Sequence, residues 1–498
     1  MDNQSIKHYA ALDLGSNSFH LVIVKYDGQT FHQIGKHKEK VQLASGLNQD
    51  DILSEEAIDR GLECLKLFSE RLRDIPKEQI KVVATYTLRK AKNAQSFIHQ
   101  AEEILSVPIE ILPGKEEARL IYNGVSHNHP DIEKTLVIDI GGGSTEIVLG
   151  DKFEPLFLDS LSLGCVTYQR FFPDNIINEA NFERALLNAT LIISPVEHKY
   201  LAESLQYCLG SSGSIEAIYR VIQGFGFKDN CIQLHHLRFL KSKLIEIGSF
   251  DNINLEGLSK PRVNTFTTGL VILLALFQEL KIQELYVSNA SLREGILLEL
   301  ADELRGNDNR NQTVESLSKR FDVDSNYATN IETTALDIFA SVADLWGIYD
   351  PHYVNLLKWA CRLHEVGLSI SYSKMRFHSA HIVQYADMPG FSQQTKESLA
   401  CIIQAQNKKI YPDTFENRYE PKQALLAIAQ ILRLSILLNI KRTATDISPL
   451  QFNADQDNQL TIEIPQDWAQ ENQLLMLELE KEKAYLDFHN LKLDWKLT

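Results

Sequence analysis

Two short stretches end an apolar run in an aspartate and follow it with small residues. They are "ALDLGSNSFHLVIV", residues 11–24, and "VIDIGGGSTEIVLG", residues 137–150. Aligned, Asp13 falls on Asp139, Gly15 on Gly141, Ser18 on Ser144 and Leu21 on Ile147, a separation of 126 residues (139 − 13). A strand that turns tightly through glycines points its backbone N–H groups outward. Such a loop can cradle phosphate oxygens. The acid repels phosphate and suits a divalent metal, held directly or through water. One copy alone is a hairpin with glycines in it; two copies with Asp-x-Gly in register point to two loops gripping one phosphate chain across a cleft. The copies are unequal. Asn17 stands where the second has Gly143, and His20 where it has Glu146, so the second loop is assigned the metal and the first the phosphate.

Cutting a phosphoanhydride needs an aligned water, a group that orients or deprotonates it, and cations that offset the charge of the moving phosphoryl. "GKEEARL" puts Glu116 and Glu117 just inside a helix that follows Pro113-Gly114; on the residues alone, both simply complement the helix N-terminus. Asp139 and Glu146 are the carboxylates suited to Mg2+, with Asp13 a third candidate whose other role is to hold its own loop. Gly141, Gly142, Gly143 and Ser144 offer donors from the second loop, and Ser16 and Asn17 from the first. "LGSSGS", 209–214, is a third glycine loop, either a plain strand–helix turn or a phosphate contact through Ser211, Ser212 and Gly213. Arg89 in "TLRKA" and Arg262 in "KPRVN" could clamp phosphate with paired N–H bonds, although a lone arginine is more often a surface residue.

These loops need strands to deliver them and helices to close the layer. "YAALDL" and "HLVIVKYDGQTFHQI" read as strands, with Asp27-Gly28 as a hairpin turn. From Ser54, "SEEAIDRGLECLKLFSERL" reads as an amphipathic helix with Ile58, Leu62, Leu65, Phe68 and Leu72 on one face and acids in its first turn. "IKVVATYTLRKA" reads as a strand ending in a turn, "IEIL" as a further strand and "KEEARLIYNGV" as a helix. At "TLVIDI" the pattern restarts, which is α/β layering built twice. The polar stretch "ADELRGNDNRNQ", 301–312, is the linker candidate. Residues 315 to 445 carry helical pattern, and the stretch beyond holds a strand signal, "LTIEI", and one helix, "LLMLELEKEKAYL".

The chain has 498 residues, too many for one ordinary core. Its 44% hydrophobic and 23% charged content is that of a folded soluble protein. A net charge of −16 argues against a general binder of nucleic acid or anionic membrane, while leaving room for a local basic channel. The six cysteines are scattered without a CxxC pair, which excludes a zinc ribbon or disulfide framework and favours a reducing cytoplasm. "MDNQSIKHYAALD" lacks a basic segment followed by an apolar one, so no secretion signal is expected. The longest apolar run, "GLVILLALF", is too short to span a bilayer.

The loops "DLGSNS" and "DIGGGSTE" resemble those of the actin-like, sugar kinase and Hsp70 superfamily. "ATYTLRKAKNA", "LPGKEEARLIYNGV", "SLGCVTY", "LGSSGSIEAI" and "SLREGIL", with "LHEVGL" and "DMPGF" later on, narrow the resemblance over essentially the whole chain to the exopolyphosphatase and guanosine pentaphosphate phosphohydrolase family. The resemblance implies two actin-like (ASKHA, RNase H-like) lobes forming a cleft, 1–124 and 125–305. After them it implies an all-α HD-like domain, 306–450, and a small α+β C-terminal region, 451–498. It implies Glu117 as the water-activating base, Arg89 as a phosphate clamp, Mg2+ as cofactor and a homodimer. The protein would be cytoplasmic; some members associate peripherally with the inner face of the cell membrane.

Two departures stand out. The family reads Glu-Arg where this chain has Pro261-Arg262, which unsettles the geometry around Arg262. In the helical domain a metal site would need a His-Asp pair, whereas this chain has His364-Glu365, with His378 and His381 nearby and no full ligand set. That domain is therefore read as degenerate, lining a polyphosphate channel with Lys408, Lys409, Lys441 and Arg442, each equally readable as a solvated basic residue. The expected activity is Mg-dependent removal of terminal phosphate from inorganic polyphosphate, with no nucleic-acid partner. The alternative is conversion of guanosine pentaphosphate to tetraphosphate in the stringent response. A kinase of the same superfold would need an adenosine pocket and an aspartate base, and a non-catalytic nucleotide sensor would show no turnover.

Overall fold

Short apolar runs in the first 200 residues become strands, and the longer periodic ones become helices packed on them. In the computed structural model, the structure describes residues 7–26, 31–201, 207–304, 308–416, 418–442, 447–455, 459–487 and 491–498. The expected Asp27-Gly28 turn lies outside them. The chain divides into two units, Met1–Asn307 and Asp308–Thr498.

In the first unit, β1 (Lys7–Leu14), β2 (Phe19–Tyr26), β3 (Phe31–Glu39), β4 (Ile80–Ala84) and β5 (Ile109–Ile111) form one sheet in the order β3-β2-β1-β4-β5. β6 (Lys134–Ile140), β7 (Thr145–Asp151), β8 (Glu154–Leu161), β9 (Tyr207–Gly210), β10 (Ile232–Gln233) and β11 (Glu284–Val287) form a second, in the order β10-β11-β9-β6-β7-β8. In each, an antiparallel meander of three strands continues into two parallel ones, β4-β5 or β9-β11. β10 is an addition to the second copy. These are the two actin-like lobes that the paired loops implied. The central strands are buried on both faces, at Ala10–Leu12 and at Leu136–Ile138, as parallel-sheet strands covered by helices must be.

The helix Glu55–Leu72 starts at the expected Ser54, which accepts from Ala57 N–H, and buries Leu62, Leu65, Phe68 and Leu72, with Ile58 half-buried. "IKVVATYTLRKA" departs from expectation. The strand stops at Ala84, and Tyr86–Lys90 is a turn of helix. The aromatic and β-branched residues there favour a strand locally, but Thr87 Oγ1 donates to Ser16 Oγ at 2.7 Å, and that tertiary bond goes with the tighter backbone. The linker stretch also differs. Helix Leu292–Leu304 runs through its first four residues, where Ala301 is buried. Residues 305–307 lie outside the described ones, and a new helix starts at Asn309, capped by Asp308.

The helices Gly114–Asn128 and Leu292–Leu304 share one apolar cluster with both sheets, joining Val22 and Val24 to Val137 and Val148 through Ile121, Val125, Leu292 and Ile296. Their backbones touch. A Cβ on Gly124 would lie 2.7 Å from Gly295 N, and one on Gly295 would lie 2.7 Å from the Leu120 carbonyl carbon.

The second unit packs the helices Ser325–Val342, Pro351–Leu363, Gln393–Gln404 and Lys422–Leu438 around one core. The expected strand and helix at the end are present, as β13 (Gln459–Ile464), between β12 (Gln451–Ala454) and β14 (Lys492–Leu497), and the helix Gln473–Asp487. Asp324 caps Ser325–Val342 by accepting from the N–H groups of Asn326 and Tyr327 at 3.1 and 3.0 Å. Asp324→Ala is expected to cost about 1 kcal/mol in a denaturant titration of this unit's transition. His364 is buried and its Nδ1–H donates to Cys361 O at 2.8 Å. Burial holds its pKa below the ordinary histidine value. Arg442 pairs with Glu365 and Lys441 donates to Asn472 Oδ1, so these two of the four expected channel cations have partners within this unit. No group of three metal-ligating atoms forms here among the described residues.

Candidate active site

Ladder register builds the site from the two hairpins. Asp13 lies opposite His20 on β1–β2, and Asp139 opposite Glu146 on β6–β7. Each pair stands beside its glycine loop, and the loops face each other closely. A methyl on Gly142 would lie 2.9 Å from Ser16 Cβ and 3.4 Å from Asn17 N. That closeness is why the second loop uses glycine. Between the lobes opens a cleft of about 430 Å³, whose wall includes Asp13, Ser16, Asn17, Glu117, Asp139, Gly141–Ser144, Ser211–Gly213 and Arg262. Thirteen of the fifteen sequence candidates, all but Glu146 and Arg89, meet here from positions up to 249 residues apart (262 − 13).

Each carboxylate is held differently. Asp139 Oδ2 accepts from Ser211 Oγ at 2.6 Å, yet burial outweighs this and raises its pKa. Asp13 is pushed up to about 7, chiefly by burial, against the pull of Arg293, and its Oδ1 has no hydrogen-bond partner. Glu117 sits in the first turn of helix Gly114–Asn128, 7% exposed and reaching the cleft. Burial raises it, opposed by Arg89, whose Nη1 donates to Glu117 Oε2 at 3.0 Å and to Leu112 O at 2.6 Å. Glu146 lies behind the wall, accepting from Ser160 Oγ at 2.8 Å. Burial and then the neighbouring Glu117 and Asp139 raise it well above the carboxylate range. Glu116 points away and is held by Arg119 at 2.9 and 2.6 Å.

Arg89 therefore meets the base, not the cleft, whose wall does not include it. Ser212 spends its hydroxyl capping the helix Gly213–Gly224, accepting from Ile215 N–H at 3.2 Å, which leaves backbone N–H groups of this helix N-terminus for an anion. Arg262 packs its guanidinium against Gly213, so Pro261 has not removed it from the cleft.

The donor set for a metal is all oxygen, which suits Mg2+. The orphaned Asp13 Oδ1 beside Asp139, with both carboxylates raised by burial, fits a cation. No three ligand oxygens here lie within 4.8 Å of one another among the described residues. A separate group, Asp229, His235 and His236, does bring three ligating atoms together. There His236 Nδ1 accepts from Gln233 N–H at 3.1 Å and its Nε2 faces Asp229 at 3.2 Å. A neutral ring so engaged carries its proton on Nε2 and has no lone pair left for a metal; the group is a helix cap.

Two facing Asp-Gly loops, a third glycine loop and a buried glutamate now meet in one cleft, and the comparison with known families agrees over most of the chain. The model of the Ppx/GppA phosphatase family matches residues 22–304, and that of its domain III matches residues 309–483. The chain belongs to the Ppx/GppA phosphatase family. Among solved structures, an exopolyphosphatase from Cytophaga hutchinsonii is 24% identical, with 60% of this chain and 98% of that one covered and a TM-score of 0.54. The Ppx/GppA member from Aquifex aeolicus is 22% identical, with 61% and 99% covered and a TM-score of 0.50. Both share the fold.

For a Ppx/GppA phosphatase the cleft holds more positive charge than the sequence candidates supplied. Lys36, Lys38, His20 and Arg293 all line it. Arg293 is buried and its Nη1 donates to His20 Nδ1 at 2.5 Å. Burial and then Arg293 hold His20 well below the usual histidine value, so it is neutral. Lys38 is lowered to about 8, first by the concave wall that strips its water and then by Arg262 and Arg293. Alternation along "KHKEK" puts Lys36 and Lys38 on one face of a strand, the one signal that could have found them; "SLREGIL" stood out as a family motif without a role for its arginine.

Arg89 carries the first prediction for this site. Its guanidinium holds Glu117 down, so without it the carboxyl rises further and is protonated over a wider pH range. Arg89→Gln is expected to lower kcat/KM about tenfold at neutral pH and to move the acid limb of the pH–rate profile upward. An unmoved acid limb would rule out this role.

Proposed function

We propose that this chain is an exopolyphosphatase that removes the terminal phosphate of inorganic polyphosphate with Mg2+ as cofactor. One observation carries the choice of substrate. The cleft is lined by glycine and serine loops, by carboxylates and by four cationic side chains, with no phenylalanine, tyrosine or tryptophan among the described residues. A purine usually needs an apolar or stacking surface, whereas a bare phosphate chain needs only cations and N–H donors.

In this reading the terminal phosphate lies among the Ser16–Asn17 and Gly141–Ser144 loops. Glu117 orients a water and takes its proton as the oxygen attacks phosphorus. The anhydride P–O bond breaks, orthophosphate forms, and the chain leaves one unit shorter with the bonding electrons on its new terminal oxygen. Mg2+, held by Asp139 with Asp13 and tuned by Glu146 behind them, would supply charge to offset the phosphoryl oxygens. The six cysteines, all buried and unpaired, are consistent with a reducing cytoplasm. No helix among the described residues is long and apolar enough to cross a membrane.

The test is to give the pure chain long-chain polyphosphate, guanosine pentaphosphate and ATP, each with and without Mg2+. Orthophosphate release from polyphosphate that requires Mg2+ is expected. Release from guanosine pentaphosphate alone would overturn the reading in favour of that phosphohydrolase.

A further inference from the structure

The second loop runs through three glycines in a row, Gly141 to Gly143, and has no side chains there to hold its own shape. Two segments pack on it. From its own lobe, Cys165 N–H donates to Gly141 O at 3.0 Å and Val166 N–H to Gly142 O at 2.9 Å. Gly164 lies so close that a Cβ on it would overlap the Gly142 carbonyl oxygen and Gly143 Cα. That backing gives the stretch "SLGCVTY" a place in the site. From the first lobe comes Tyr86. A Cβ on Gly143 would stand 2.6 Å from Tyr86 Cε1 and Cγ and closer still to Cδ1, and these ring carbons are its three nearest atoms.

Tyr86 opens the helical turn Tyr86–Lys90, and that single turn reaches three parts of the site. Thr87 Oγ1 donates to Ser16 Oγ of the first loop at 2.7 Å. Arg89 holds Glu117 at 3.0 Å. Tyr86 meets Gly143 of the second loop. The first two contacts stay within the first lobe, and of the three Tyr86 alone crosses to the second. Its ring is half-buried and does not line the cleft.

The ring also explains an asymmetry between the two loops. The first carries Asn17 at the position of Gly143. Gly143 lies outside the left-handed backbone region, so its backbone alone would admit a side chain. It is the ring that leaves no room for one. A run of glycines is otherwise loose, whereas N–H donors help a reaction only if they are already in place when charge develops on the phosphoryl oxygens.

We propose that Tyr86 is a positioning residue for the reaction. Its ring, seated on Gly143, holds the N–H donors of the second loop in place and fixes their distance from Glu117 across the two lobes. This deepens the polyphosphatase reading and rests on it for the reaction, though not for the seat itself. Tyr86 acts through the loop and does not touch the phosphate chain.

The test is a double-mutant cycle of Tyr86→Ala and Gly143→Ala on the full chain, with Tyr86→Phe beside it. Tyr86→Ala loosens the loop, so kcat on polyphosphate is expected to fall about tenfold with KM within about threefold, the mark of an interaction made in the transition state. Tyr86→Phe keeps the ring carbons and should keep kcat within about twofold. The acid limb of the pH–rate profile should stay in place in Tyr86→Ala, because Arg89 retains Glu117 and Leu112 O. Gly143→Ala drives a methyl into the ring, and kcat should fall about a hundredfold. Removing the ring makes room for that methyl, so Tyr86→Ala/Gly143→Ala should be at least about tenfold more active than Gly143→Ala alone. Losses that multiply in the double variant, a Tyr86→Ala enzyme with wild-type kcat, or a moved acid limb would each overturn the proposal. If Gly143→Ala does not fold, the comparison of Tyr86→Ala with Tyr86→Phe still decides. If the wild type cuts neither polyphosphate nor guanosine pentaphosphate, the polyphosphatase reading fails and calorimetry with tripolyphosphate and Mg2+ takes its place. Affinity lost in Gly143→Ala and regained in the double variant supports the seat, and affinity not regained overturns it.

Discussion

Glu117→Gln is expected to lower kcat for phosphoanhydride hydrolysis by roughly 10²- to 10⁴-fold, the usual contribution of a positioned general base, with KM within about threefold. The substitution keeps the shape of the side chain and an oxygen for Arg89, whose second anchor, Leu112 O at 2.6 Å, is untouched. It removes a carboxylate that burial disfavours, so the melting temperature should stay level or rise. The adjacent Glu116→Gln should do the reverse. Glu116 is buried against Arg119, which also reaches Glu299, so its loss should cost about 1–3 kcal/mol of stability and leave kcat close to wild type. Steady-state kinetics and thermal melts on both variants check the pair. A Glu117→Gln enzyme within threefold of wild-type kcat would remove Glu117 from the chemistry.

Gly295→Ala is expected to destabilise the first unit by about 3 kcal/mol and to lower its melting temperature by several degrees. The added methyl meets the Leu120 carbonyl carbon at 2.7 Å and its oxygen closer still, and backbone cannot turn aside as a side chain can. The helices Gly114–Asn128 and Leu292–Leu304 must then part. Glu117 is three residues from Leu120 on one helix, and Arg293 two residues from Gly295 on the other. The same substitution therefore moves the base relative to the buried guanidinium, and kcat should fall together with an increase in KM. Differential scanning calorimetry and kinetics on one preparation check both effects. An unchanged melting temperature would mean that the helices accommodate the methyl by sliding.

How much of this is legible in the residues alone follows from how local each signal is. Asp13 and Asp139 announce themselves because an acid, a glycine and a strand on either side occupy one continuous stretch. Their partners His20 and Glu146 follow from the same stretch, since a four-residue loop fixes the register. Glu117 needed a family resemblance to be told from Glu116, because adjacent residues on a helix look alike until the packing of Arg119 and Arg89 is known. Arg89 reads as a phosphate clamp in sequence and faces Glu117 in the structure, since a guanidinium suits phosphate and carboxylate equally and its choice depends on a helix 28 residues away. Arg293 and Lys38 are 255 residues apart (293 − 38), and no spacing rule joins them. The lobes were readable from strand and helix alternation, while the helical turn at Tyr86–Lys90 was not, because a bond from Thr87 to the first loop competes with local preference.

The near-contact of Gly142 with Ser16 also bears on how the cleft can move. Two walls that touch at their base have a fulcrum there. Rotation about it changes spacing least at the base and most at the rim, as in hinged domain pairs generally. For a turn about that contact the glycine loops lie near the axis, and Lys36, two residues farther along its strand than Lys38, lies off it. A widening that admits a fresh chain end would thus sweep the rim lysine through an arc and leave the loop-to-loop distance nearly constant. The lever arm is long where the substrate is captured and short where it is cut.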